Sequence, residues 1–163
     1  MAEDAVLKKK CDFGSYMLQN IFELERKSGI KLGLAQKTLL AETGNIEQVL
    51  SILTGSAVRV NIVEQTENQK AISRESEILN DADEILIRAH SKIYVRNIPQ
   101  KIARQIRQKK LGIGTIIANS SLETFRKIIE LGYDPVNKSV FRRYQIIHRK
   151  KVAFEIREEL VGV

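Results

Sequence analysis

The sequence predicts an α+β fold in which a single antiparallel sheet carries helices packed on one side. Amphipathic and alternating patterns occupy separate stretches of the chain, without the regular strand–helix alternation of a parallel sheet. Short turn-forming segments join successive strand patterns, which favours antiparallel hairpins. A chain of 163 residues is long enough to bury one substantial hydrophobic core. We therefore expect a single domain over residues 1–163.

Two helices are predicted before the first strand. Apolar residues recur at three- and four-residue steps over residues 4–27, as in an amphipathic helix. A second helix is predicted over residues 46–53. Asn45 can cap its start, Gln48 completes a capping box, and Gly55 can end it.

A three-stranded antiparallel meander is predicted next. Residues 58–63 alternate in polarity and form the first strand, and the polar residues 64–70 form a connection. Residues 71–79 and 84–94 form the other two strands. The turn between them, at residues 80–83, is rich in Asn and Asp, which favour tight turns.

Two further helices are predicted after the meander. Pro99 suits the first position of one of them. The glycine-containing segment 112–114 then has two interpretations, a helix stop followed by a turn, or a close approach of the backbone to a ligand with a positive φ. The second helix is predicted over residues 122–131, with Ser120 and Glu123 spaced as a capping box.

The chain ends in a predicted hairpin of residues 140–148 and 152–160. Side chains of a strand alternate between its two faces. Glu158 therefore shares a face with apolar residues, and that face is expected to point into the core with Glu158 on it. The apolar residues are Val152, Phe154, Ile156 and Leu160.

Arg74 is likewise a charged residue on an apolar face, because it shares a face of the predicted strand 71–79 with Ile72 and Ile78. An unpaired buried charge costs several kcal/mol, so such residues are usually paired or line a pocket. One interpretation is structural, with Arg74 and Glu158 pairing with each other or reaching solvent near a strand end. The other is functional, with Arg74 binding a carboxylate and Glu158 moving a proton nearby.

No metal or cofactor site is predicted. Cys11 is the single cysteine, and no paired Cys/His spacing suits a structural zinc site. His90 and His148 lie in predicted strands, where an exposed or hydrogen-bonded role is more common than a catalytic one. The lone cysteine fits a reducing compartment, and no signal peptide or membrane-spanning run is recognised, so a cytoplasmic protein is expected.

The net charge of +7 favours anionic partners. Basic residues are interspersed with acidic ones and aromatic residues are few, so no specific nucleic-acid binding is predicted. A small anionic ligand is the preferred partner. An RNA-associated basic protein stays an alternative, which salt-dependent retention of nucleic acid during purification would reveal. The oligomeric state is left open.

A series of short motifs follows one order along the chain. They are Leu39-Leu40, Asn45-Ile46 at a helix start, Val58-Arg59-Val60, Arg74 in a strand, Leu111-Gly112-Ile113-Gly114, Ser120-Ser121-Leu122-Glu123-Thr124-Phe125-Arg126, and Ile156-Arg157-Glu158. In this order they resemble the chorismate pyruvate-lyases, or 4-hydroxybenzoate synthases, and especially their compact archaeal and cyanobacterial-type members. The resemblance covers residues 39–160 and leaves residues 1–38 as an N-terminal helical segment.

The resemblance implies a cofactor-independent lyase that converts chorismate to 4-hydroxybenzoate and pyruvate. It assigns Arg74 to the ring carboxylate and Glu158 to the side of the 4-hydroxyl and ether oxygens. The other pocket residues that it implies are Ile46, Ile113, Gly114 and Arg126, the last for a second carboxylate. It assigns no role to Arg142, Arg143 or Tyr144, because the register of the final hairpin is open by one residue.

A ligand-sensing domain without catalysis is the alternative function, because effector domains of some transcription regulators resemble the same fold. Such regulators also carry a DNA-binding domain, for which the residues ahead of position 39 are expected to be too few. This favours the enzyme.

Overall fold

A six-stranded antiparallel sheet forms the centre of the computed structural model, which describes residues 13–163. The strands are β1 (Arg59–Glu67), β2 (Ile72–Leu79), β3 (Ile85–Ile93), β4 (Phe125–Asp134), β5 (Ser139–His148) and β6 (Lys151–Leu160). Their order across the sheet is β1-β2-β3-β6-β5-β4. The predicted α+β fold with an antiparallel sheet is confirmed, as are the meander and the final hairpin.

Five α-helices accompany the sheet in the described part of the chain. They are α1 (Phe13–Ser28), α2 (Leu34–Ala41), α3 (Ile46–Thr54), α4 (Gln100–Arg107) and α5 (Ile113–Ser120). The start of the first predicted helix, residues 4–12, lies outside the described residues, and α2 and α5 were not predicted. No helix within residues 13–163 combines the length and the apolar character that crossing a membrane requires.

Helix α3 begins after the predicted N-cap Asn45 and ends at the predicted Gly55, but the predicted capping box with Gln48 is not formed. The side chain of Asn45 accepts a hydrogen bond of 3.0 Å from the backbone N–H of Glu47. Gly55 follows the helix with φ of 70°, a left-handed conformation that glycine adopts without steric cost. These two ends fix Ile46 and Glu47 in the first turn of α3.

The helix predicted over residues 122–131 is wrong, because most of this segment is strand β4. A β-bulge interrupts the pairing of β4 with β5 between Ile128 and Glu130. The extra residue shifts the inward-facing positions by one and gives the apolar residues a helix-like spacing. Ser120 is instead the last residue of α5, where its hydroxyl donates a hydrogen bond to the Ile116 carbonyl.

Strand β1 is longer than predicted for the same reason. A bulge lies between Ile62 and Glu64, and pairing with β2 continues through Glu67, so residues 64–67 are strand and not connection. Both edge strands of the sheet therefore carry a bulge.

Two hydrophobic clusters cover one face of the sheet. The first joins α4 and α5 to the sheet through residues such as Ile72, Ile93 and Phe154. The second joins α1, α2 and α3 to it through residues such as Ile78 and Leu160. On every central strand the same polar stretch separates the two clusters. We call it the polar band, and it consists of Arg74 and Ser76 on β2, Ser91 on β3, Glu158 on β6 and Arg142 on β5.

Candidate active site

Arg74 and Glu158 are both buried in the polar band, as their strand positions predict. They do not pair with each other. Strand β3 lies between β2 and β6, so two strand spacings of about 4.8 Å each separate the two backbones. The first structural interpretation, a mutual salt bridge, is therefore wrong.

Glu158 is instead held by the neighbouring strand β5. Its Oε2 lies 2.7 Å from the Arg142 guanidinium, and its Oε1 accepts a hydrogen bond of 2.8 Å from the Tyr144 hydroxyl. Arg142 also donates to the side chain of Glu42 at 2.6 Å and to its carbonyl at 2.5 Å, just beyond α2. The cluster therefore ties a helix end to the middle of the sheet.

The charged groups of this cluster attract one another. Burial lowers the pKa of Arg142, but attraction to Glu158 and Glu42 outweighs burial and holds that pKa above its usual range. Burial, together with the Glu158 carboxylate, raises the pKa of the Tyr144 hydroxyl. Tyr144 therefore stays protonated at neutral pH and donates to Glu158. An arginine donor and a tyrosine donor together fix the Glu158 carboxyl group in one orientation.

Arg74 has different partners, although it is equally buried. Its guanidinium donates to the side chain of Gln65 at 2.8 Å and to the carbonyls of Ile106 at 2.6 Å and Leu111 at 3.0 Å. Within residues 13–163 it forms no ion pair with an acidic side chain. Burial lowers its pKa to about 10, so Arg74 is a buried cation at neutral pH.

A small cavity lies between Arg74 and Glu158, with a volume of about 50 Å³. All the residues that the sequence analysis assigned to the site line it. These are Ile46, Arg74, Ile113, Gly114, Arg126 and Glu158. The small side chains of Ser76, Ala89 and Ser91 leave the space open above the sheet. His90 and His148 are not among the lining residues.

Arg126 stands at the edge of this cavity. Its guanidinium lies over the Tyr144 ring, 5.7 Å from the ring centre, a cation–π contact. Arg126 is only partly buried, and it also lines a larger groove of about 660 Å³ between α1 and β4. Neither Arg74 nor Glu158 lines that groove. Arg126 lines both the cavity and the groove, and its positive charge can attract an anion to either.

The glycines around Ile113 start helix α5, so the interpretation of this segment as a helix stop followed by a turn is wrong. Gly112 precedes α5 with φ of −66°, so no positive φ is needed. Its role is close packing, because a Cβ atom there would lie 2.5 Å from Oε1 of Glu47 and 3.0 Å from Val60. Gly112 thus leaves room for the Glu47 side chain at the cavity.

Sequence reasoning missed several residues of the site. Arg142 and Tyr144 could have been found, because they share a strand face with Val140 and Ile146 just as Glu158 does with its apolar neighbours. Glu42 and Glu47 had no such signal, since an acidic residue near a helix end is usually solvent-exposed. Glu47 lines the cavity.

The fold and the site define an antiparallel α+β protein with a buried, charged cavity on one face of its sheet. No protein-family model matches the chain. A protein of Methanocaldococcus jannaschii with the name "Putative lyase" is 31% identical over 143 residues, covering 76% of this chain and 76% of that protein. The chain belongs to the same family as this protein.

Proposed function

We propose that this protein is a lyase that converts chorismate to 4-hydroxybenzoate and pyruvate. The name of the archaeal relative supports the reaction class. The resemblance of the ordered motifs to the chorismate pyruvate-lyases supports the substrate. The site must then bind a dicarboxylate and assist one proton transfer.

The observation that carries the proposal is the buried Arg74 cation, which has no acidic partner within residues 13–163 and faces the cavity. A guanidinium has five N–H donors, and three donor atoms of Arg74 already bond protein oxygens. The remaining N–H groups and the unneutralised charge suit a ligand carboxylate, whose burial beside Arg74 would form a charge-assisted pair. We assign the ring carboxylate of chorismate to Arg74.

Glu158 is proposed as the proton acceptor on the opposite wall. The elimination removes the hydrogen on the carbon that bears the 4-hydroxyl. As the neighbouring carbon–oxygen bond breaks, its electron pair leaves with the enolpyruvyl oxygen. Glu158 takes the proton from the ring, and Arg142 and Tyr144 hold its carboxylate in place. The reaction is redox-neutral, and formation of the aromatic ring drives it.

Arg126 is proposed for the second carboxylate, that of the enolpyruvyl group. It is the other arginine on the cavity wall that has no acidic partner among residues 13–163. A volume of about 50 Å³ is too small for an aromatic acid, so binding requires the cavity to widen. Arg126 and Glu47 are only partly buried, and we expect movement of their side chains to open the site toward solvent.

The test is to incubate the purified full chain with chorismate and to follow both 4-hydroxybenzoate and pyruvate. We expect both products in equal amounts, and a loss of kcat/KM of at least 100-fold in Glu158→Gln and in Arg74→Met. Arg88→Met is the matched control, because Arg88 lies on the exposed face of β3. Absence of both products, together with binding of 4-hydroxybenzoate, would replace the lyase proposal with a ligand-sensing function.

A further inference from the structure

Glu47 is a second carboxyl group on the wall of the cavity. It lies in the first turn of α3, and both of its carboxylate oxygens are 3.2 Å from the Thr115 hydroxyl of α5. That hydroxyl carries a single proton, so it can satisfy one oxygen at a time. The bare backbone of Gly112 leaves space for the Glu47 side chain at the cavity.

The surroundings of Glu47 differ from those of Glu158. Glu158 contacts the Arg142 guanidinium directly, whereas Glu47 forms no ion pair with any basic side chain of residues 13–163. The charged or titratable groups that share the cavity wall with it are Arg74, Arg126, Tyr144 and Glu158.

The two carboxyl groups therefore lie in different surroundings. Burial raises the pKa of Glu47; the Thr115 hydrogen bond opposes this rise, and the neighbouring Glu158 charge adds to it. Glu158 accepts hydrogen bonds from the Arg142 guanidinium and from the Tyr144 hydroxyl. Two carboxyl groups on one cavity wall, one held by two donors and the other without a basic partner among residues 13–163, are suited to act as a base and an acid.

We propose that Glu47 is the proton donor to the departing enolpyruvyl oxygen, while Glu158 accepts the ring proton. This rests on the proposed lyase function. The carbon–oxygen bond breaks with its electron pair on oxygen, and the Glu47 proton forms the new O–H bond of the enol of pyruvate. The enol then converts to pyruvate. Glu158 returns its proton to solvent and Glu47 takes one up, so no net proton is gained or lost at the protein.

A purely structural role for Glu47 makes a different prediction. In that case the carboxylate would only link α3 to α5 through Thr115, and breaking the link from either side would have the same effect. Thr115→Val removes the link and keeps the carboxyl group, whereas Glu47→Gln keeps a hydrogen-bonding side chain of the same size and removes the transferable proton. Comparing the two variants separates the roles.

The experiment measures kcat, KM and the pH dependence of kcat for chorismate in the full chain. The variants are Glu47→Gln, Thr115→Val and the exposed control Glu123→Gln, all with urea unfolding midpoints checked. We expect Glu47→Gln to lower kcat by about 100- to 10,000-fold with KM changed only a few-fold. The wild type should lose kcat as the pH rises and Glu47 deprotonates, and this fall should be absent in Glu47→Gln. Thr115→Val should lose less than about 10-fold and keep the fall with rising pH.

Two results would overturn the role of Glu47 as proton donor and leave the lyase proposal intact, and both require an active wild type. The first is a Glu47→Gln variant with wild-type kcat. The second is an equal loss of kcat in Glu47→Gln and Thr115→Val, with the fall of kcat at rising pH unchanged in both. A wild type that forms no 4-hydroxybenzoate would overturn the proposed function and this assignment together, so the two failures are distinct.

Discussion

Arg74 and Arg142 are each 1% exposed and project from the same face of the sheet, yet only Arg142 has acidic partners among residues 13–163. Arg142 lies between the carboxylates of Glu42 and Glu158, whereas Arg74 contacts only neutral oxygens. We call Glu42, Arg142, Tyr144 and Glu158 the paired half of the site, and Arg74, Arg126 and Glu47 the unpaired half. The paired half already has its partners, and these hold the Glu158 carboxyl group in place. The unpaired half is the part that a ligand would complete.

The largest expected effect follows from breaking the paired half. Arg142→Met leaves Glu42 and Glu158 buried without a cation, and loss of one partner of a buried ion pair costs about 3–5 kcal/mol. We expect a decrease of this size in the free energy of unfolding, measured by urea denaturation. Arg143→Met is the control, because Arg143 is exposed and pairs with Glu130 at the surface; its effect should stay within about 1 kcal/mol. Equal losses in the two variants would show that the paired half is not a structural unit.

Arg74→Met should change ligand binding more than folding. A charge-assisted hydrogen bond contributes about 1.5–3 kcal/mol, so we expect the affinity for 4-hydroxybenzoate to fall by roughly 10- to 150-fold in isothermal titration calorimetry. The decrease in unfolding free energy should be less than half that of Arg142→Met, since no buried carboxylate loses its partner. Arg88→Met on the exposed face is the control for binding. A variant that binds like the wild type would remove Arg74 from the ligand site.

Tyr144→Phe tests the orientation of Glu158 with a smaller change. The substitution removes one hydroxyl donor to a buried carboxylate that keeps Arg142 as a partner. We expect the unfolding free energy to fall by about 1–2 kcal/mol. Tyr94→Phe is a matched control, because its hydroxyl bonds Glu155 at a partly exposed position, and its effect should be smaller. A Tyr144→Phe variant with an unchanged unfolding free energy would mean that Arg142 alone orients Glu158.

The pH dependence of stability reports on the unpaired half and should give the smallest effect. The pKa of Glu47 is raised above its ordinary 4.5 in the folded protein, mainly by burial. As the pH rises above 4.5, the unfolded chain releases this proton first, so the native state binds more protons and its stability falls until the raised pKa is passed. The Glu47→Gln variant lacks this fall and should gain stability relative to the wild type as the pH rises above 4.5. An identical pH profile for the two proteins in urea denaturation would contradict this prediction.

The central strands and their buried charges could be predicted from the sequence because side-chain alternation is a local property. The inward positions of Arg74 and Glu158 follow directly from their apolar neighbours two residues away. The partners of these charges could not be predicted in the same way. They depend on which strands are adjacent, and the insertion of β6 between β3 and β5 is set by the whole chain.

The edge strands were predicted less well than the centre. In β4 the bulge between Ile128 and Glu130 changed the spacing of apolar residues, and in β1 the bulge near Val63 hid the last part of the strand. A bulge depends on pairing with a neighbouring strand, which no single-strand pattern contains. Glu47 was missed for a similar reason, because its contact with Gly112 joins residues that are far apart in the chain.

The bulges at the two edges also affect how copies of this protein meet one another. An unbroken edge strand offers a regular row of N–H and C=O groups to any other exposed strand, and sheets of different molecules can then join edge to edge. Extra residues at Val63 and Ile129 interrupt that row on both outer strands, although both side chains are exposed and apolar. We therefore expect the native protein to resist β-type aggregation at high concentration.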